Sequence, residues 1–168
     1  MRPMSPDEPP IAACIAVVDD DSSVRKALRR LLTAAGYAVE TYSGAAEYVA
    51  RRSTARVECL VLDVRMPAVT GLDLQRHLVD VSGAPPIVMI TGHGNPAVRE
   101  RALATGAVAV LDKPFSDEML LAAITRARAR RPGAVVIAAS SAGEGIPDPA
   151  EAGSRDLDDV MRKTPPKR

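Results

Sequence analysis

Aromatic residues are nearly missing from this chain: Phe and Tyr make up 2% of its 168 residues, and there is no Trp. A core without rings has to be assembled from Val, Leu, Ile and Ala. At 46% hydrophobic, the chain has enough of them for one domain. Cysteine is scarce as well. Cys14 and Cys59 are too few and too far apart in sequence for a zinc site. Each falls in an apolar strand run, which reads as a reduced, buried small hydrophobe. The net charge is only +1. No basic run is interleaved with aromatics, so no helix-turn-helix or other nucleic-acid module is expected, and no direct DNA binding. No apolar run nears the ~20 residues needed to cross a bilayer. The first ten residues hold four prolines with Asp7 and Glu8, unlike a signal peptide. A flexible segment over 1–10 and a cytoplasmic setting are the expectation.

What is present is a regular alternation of short apolar runs and amphipathic stretches from Ile11 to Arg131. The run Ile15-Ala16-Val17-Val18 ends in Asp19-Asp20-Asp21, and Cys59-Leu60-Val61-Leu62 ends in Asp63. Ile87 to Ile90 ends at Thr91, and Val108 to Leu111 precedes Lys113-Pro114-Phe115. Ala38 to Tyr42 supplies a further strand. Continuous, β-branched-rich runs of this length read as parallel strands buried on both faces. Between them, Val24, Ala27, Leu28, Leu31, Leu32 and Ala35 keep helical spacing, with Ser22 or Ser23 as cap. Ser43 opens a helix with Ala46, Val49 and Ala50 inward. Leu74, Leu78 and Val81 mark a third helix, Ala97 to Thr105 a fourth, and Leu120, Ala123, Ile124 and Ala127 a fifth. Five strand–helix pairs predict an α/β, (βα)5 doubly wound parallel sheet with the flavodoxin-like strand order 2-1-3-4-5. In that order the first and third strands are neighbours. Their carboxyl ends, where ligands sit in open sheets, then bring Asp19, Asp20 and Asp63 together. Such an acidic pocket needs a cation. Residues 132–168, with five prolines and four glycines, read as a mostly disordered tail.

The segments Val17-Val18-Asp19-Asp20-Asp21, Leu62-Asp63-Val64-Arg65-Met66-Pro67 with Gly71, Thr91-Gly92-His93-Gly94 and Lys113-Pro114-Phe115 occur in one order, each at a strand end. With them, the stretch from about Ile11 to Arg131 resembles the receiver domain of bacterial two-component response regulators, in its FixJ-like branch. The resemblance implies that Asp63 is the phosphoacceptor for a sensor histidine kinase or phosphotransfer protein. Asp20 and Asp63 would bind Mg²⁺ (Mn²⁺ can substitute), with the Arg65 backbone carbonyl as a further ligand and Asp19 acting through a water. Lys113 would bind phosphoryl oxygens, Thr91 would turn its hydroxyl to the phosphoryl group, and Pro114 would follow a cis bond. Arg65 and His93 at the rim are candidates for tuning phosphoryl lifetime.

One position departs from the family pattern. Receivers usually carry Tyr or Phe three residues before the lysine, and here it is Val110. The expectation is a stand-alone response regulator, with a downstream protein target or a phosphorelay as its output. Two alternatives stay open. A pseudo-receiver would be an interaction module that phosphorylation does not regulate. An aspartate-nucleophile phosphohydrolase would carry a second Asp two residues after the first, where this chain has Arg65.

Overall fold

Strands without polar side chains on either face belong between two helical layers, because each face then needs a cover. The computed structural model describes residues 13–52, 57–92 and 94–130. The segments 1–10 and 132–168, the outer limits 11 and 131 of the domain, and His93 lie outside the described residues. Five strands, β1 (Cys14–Val18), β2 (Ala38–Tyr42), β3 (Val57–Asp63), β4 (Ile87–Thr91) and β5 (Ala109–Asp112), alternate with five helices. These are α1 (Ser22–Ala34), α2 (Ala45–Arg51), α3 (Gly71–Val79), α4 (Pro96–Ala104) and α5 (Asp117–Ala129). The sheet is parallel throughout, in the order β2-β1-β3-β4-β5. This is the flavodoxin-like receiver architecture that the sequence predicts.

The two-residue period of the strands divides the core. Ile15, Val17, Cys59, Val61, Val88 and Ile90 pack against α1 and α5 on one face. Ala16, Val18, Leu60, Leu62, Met89 and Val110 pack under α2, α3 and α4 on the other. Both cysteines are buried and free, as expected. Burial raises the Cys14 thiol above its ordinary range and pushes Cys59 up to about 12.

Local expectations fail where tertiary contacts decide. The cap of α1 is Asp21, not Ser22 or Ser23. Its carboxylate accepts from Ser23 N at 2.8 Å and Val24 N at 3.4 Å, and the two serines lie inside the helix. On α1 only Leu28 and Leu32 are buried, while Ala27 and Ala35 are exposed. On α2 the inward residues are Ala45 and Tyr48, and Ala50 faces out. The ring of Tyr48 sets that helix's rotation, meeting Tyr42 edge-on with centroids 5.2 Å apart. The fifth strand lies one residue later than expected, at Ala109–Asp112.

Candidate functional site

The predicted acids, Thr91 and Lys113 collect where the strands end. Asp63 closes β3 and Thr91 closes β4, both buried. Asp19 follows β1 and is also buried, whereas Asp20 is exposed. One oxygen from each of Asp19, Asp20 and Asp63 lies within 4.8 Å of the others. Lys113, one residue past β5, reaches across the sheet. Its Nζ donates to Asp19 Oδ2 at 3.2 Å and to Asp63 Oδ1 at 3.3 Å. The backbone brings it there: Lys113 N donates to Thr91 O at 2.8 Å, and the Lys113–Pro114 peptide is cis, as the resemblance implies.

Local contacts hold each carboxylate in place. Asp19 Oδ1 accepts from Asp21 N at 2.8 Å, which leaves Oδ2 for Lys113. Gly71 N donates to Val64 O at 2.9 Å, and a Cβ at Gly71 would overlap the Asp63 carbonyl. Glycine at the start of α3 is therefore what lets that helix press against the backbone of Asp63. The capping box of Thr70 and Asp73 fixes the same helix start.

The electrostatics follow from this crowding. Burial, then the Asp19 charge, raise Asp63 to about 6, against a partial offset from Lys113. For Lys113, burial works against the charged form, but Asp19 and Asp63 together outweigh it and its pKa lies above the ordinary lysine value. A divalent cation relieves the repulsion among the acids. Three carboxylates offer only hard oxygen donors, the set that Mg²⁺ or Mn²⁺ prefers, so the residues fit such an ion.

The structure also reveals participants that sequence reasoning passed over. Arg25 on α1 reaches back six residues, its Nη1 donating to the carbonyl oxygens of Asp19 at 2.7 Å and Asp20 at 3.0 Å. It pins the loop that carries both acids. Nothing in the sequence set it apart from Lys26, Arg29 and Arg30 on the same helix. Asp112 pairs with Arg99 of α4 immediately beside Lys113. A cleft of about 580 Å³ opens next to Lys113, lined by Val24, Ala27, Leu28, Leu31, Pro114 and Phe115. The exposed Ala27, expected in the core, forms part of its wall. Arg65 is exposed, two residues beyond Asp63, and Val110 is buried on the α4 side of the sheet.

Comparison with known proteins matches residues 15–125 to the response regulator receiver domain. The response regulator protein TodT of Pseudomonas putida is 40% identical over 116 residues, covering 69% of this chain and 51% of TodT. The transcriptional regulatory protein FixJ of Rhizobium meliloti is 39% identical over 113 residues, covering 67% of this chain and 55% of FixJ. The chain thus spans about half the length of the curated relatives it matches. Among solved structures, FixJ-N superposes with a TM-score of 0.66 at 37% identity, covering 71% of this chain and 95% of that one. The Vibrio cholerae chemotaxis protein CheY4 superposes with a TM-score of 0.64 at 34% identity, over 69% of this chain and 98% of its own. The shared stretch runs from β1 into α5 and takes in every strand-end acid discussed above, and this chain belongs to the family of response regulator receiver domains.

Proposed function

We propose that this chain accepts a phosphoryl group on Asp63 from a phosphohistidine of a sensor kinase or phosphotransfer protein. The observation that carries the reading is a buried strand-end carboxylate with a lysine ammonium 3.3 Å from its Oδ1 and two more acids close by. In the reaction an Asp63 oxygen bonds to phosphorus, the N–P bond breaks, and the imidazole leaves with its electron pair. There is little covalent work for the protein beyond aligning the partners and neutralising charge on the phosphoryl oxygens. Asp20, Asp63 and the Arg65 carbonyl would hold Mg²⁺, with Asp19 acting through a water. The ion supplies charge neutralisation for the transferring group. Lys113 serves the same end from another strand, and the Thr91 hydroxyl stabilises the product. Arg65, exposed two residues beyond Asp63, and His93, two residues after Thr91 in the sequence, govern how readily water reaches the acyl phosphate. Replacing both should change the lifetime of the phosphorylated form.

The cleft between α1 and Pro114-Phe115 gives the donor protein an apolar landing place beside Lys113. Exposed Lys26, Arg29 and Arg30 on α1 favour a partner with acidic side chains around its apolar contact. The output is a protein contact or onward phosphoryl passage, in a cytoplasmic setting where kinase phosphohistidines are available. Among the described residues no helix is long and apolar enough to cross a membrane.

The test is incubation with acetyl phosphate and Mg²⁺. One added phosphoryl group by intact mass, absent in Asp63→Asn and without the ion, supports the proposal. No adduct from small donors or from a panel of kinases favours the pseudo-receiver reading, which the small buried Val110 keeps in view.

A further inference from the structure

We infer that the Arg99–Asp112 ion pair is the link through which the Asp63 pocket controls helix α4, a role for which this chain lacks the usual aromatic side chain. This rests on the reading of Asp63 as phosphoacceptor and names how that site is read out. Arg99 Nη2 lies 2.7 Å from Asp112 Oδ2, with both side chains a little over two-fifths exposed (44% and 43%). Asp112 is the last residue of β5 and the immediate neighbour of Lys113. Its other oxygen, Oδ1, is buried with no hydrogen-bond partner among the described residues. That oxygen sits against Gly94 in the loop after Thr91, 3.4 Å from where a Cβ would stand. One carboxylate thus touches the loop that follows Thr91, the helix beyond it and, through the backbone, Lys113.

The packing of α4 makes this pair matter. Of its nine residues only Ala102 is buried. The carboxyl end of α4 is pinned from inside the protein, where Gln75 Nε2 donates to Ala102 O at 2.9 Å. Beneath it Val110 fills its place in the core without a ring that could swing. The helix is therefore anchored at its carboxyl end, rests lightly on the core through the half-buried Val98, and is tied at its middle by the exposed Arg99–Asp112 pair. Such a pair contributes little in absolute terms. For a helix that packs only through Ala102 and part of Val98, little is enough to bias its position. A dianionic phosphoryl group on Asp63 recruits Lys113 and Thr91; Lys113 is the backbone neighbour of Asp112, and Thr91 is its register partner across the β4–β5 pair. Shifting Asp112 loads or releases Arg99, and α4 follows. With the pair closed, α4 is latched, and phosphorylation is what opens it.

The test compares the unaltered 168-residue chain with Arg99→Gln, Asp112→Asn and the double variant. Amide hydrogen exchange in the ion-free protein and the initial rate of phosphorylation by acetyl phosphate with saturating Mg²⁺ are both read. At low salt, Arg99→Gln should speed exchange in α4 and raise the phosphorylation rate by about 1.5- to 5-fold, the range of an exposed pair. The double variant should match Arg99→Gln rather than add to it. The ratio to wild type should fall towards one in 1 M salt, where exposed charges are screened. The inference is overturned if Arg99→Gln leaves α4 exchange unchanged, if exchange rises equally throughout the molecule, or if the two single effects simply add. A wild type that takes no phosphoryl group refutes the phosphoacceptor reading and the signalling half of this one, while the exchange arm still decides whether the pair tethers α4.

Discussion

Asp63→Asn should make the ion-free protein more stable, although it removes the proposed reactive group. The carboxyl titrates near 6 in the folded chain against an ordinary value of 3.8. Its folded pKa is the higher one, so the native state holds the proton more tightly than the unfolded chain. The stability this confers is complete below about pH 4 and is lost as pH rises through about 6. A gap of roughly two pKa units corresponds to about 3 kcal/mol by pH 7.5, an upper bound for what an uncharged isostere regains. At about 4 °C per kcal/mol for a domain of this size, that bound corresponds to a Tm rise of at most on the order of 10 °C, and solvent screening of the site brings the expected rise below it. The assay is thermal unfolding of both proteins in EDTA, at pH 7.5 and at pH 4. The advantage should be large at the higher pH and nearly vanish at the lower one. Added Mg²⁺ should stabilise wild type more than the variant and narrow the gap. A variant no more stable than its parent at pH 7.5, or equally advantaged at both pH values, refutes the picture of a self-repelling acidic nest.

Three further perturbations probe the supports of the site. Gly71→Ala forces a methyl group into the Asp63 carbonyl; thermal unfolding should show a loss of about 1–3 kcal/mol, with slower phosphorylation. Lys113→Ala takes away the ammonium that contacts Asp63 and Asp19; the Asp63 midpoint, followed by carboxyl NMR, should climb further above 6, and ion-free stability at pH 7.5 should fall. Thr70→Ala removes the capping box of α3 and should cost about 1 kcal/mol in denaturant unfolding, with phosphorylation intact.

Apart from β2, the strands were legible because strands buried on both faces must be largely apolar, which makes their ends visible as the first Asp or Thr of each run. Asp19, Asp63, Thr91 and Lys113 were therefore placed correctly from sequence, and the strand order made them neighbours. Helix faces were harder. Ala27 fits a core stripe as well as any alanine, yet it lines an open cleft, because a methyl group carries too little area to dictate rotation. The rotation of α2 turned on one tyrosine edge. Arg25 and Asp112 were invisible for another reason: their partners are backbone carbonyls and a helix apart in sequence, and no spacing rule announces such contacts. Gln75, which nothing in the sequence singles out, is buried with its amide donating to the Ala102 carbonyl near the end of α4, an oxygen that also accepts from Ala107 N.

The two thiols offer an experimental opening. Both sit inside the sheet and hold their protons at neutral pH. The native protein therefore presents no competing sulfur nucleophile to a maleimide dye. A cysteine introduced on the outer side of α4 would be labelled alone, giving a chain without tryptophan a clean optical reporter of what that helix does when the pocket fills.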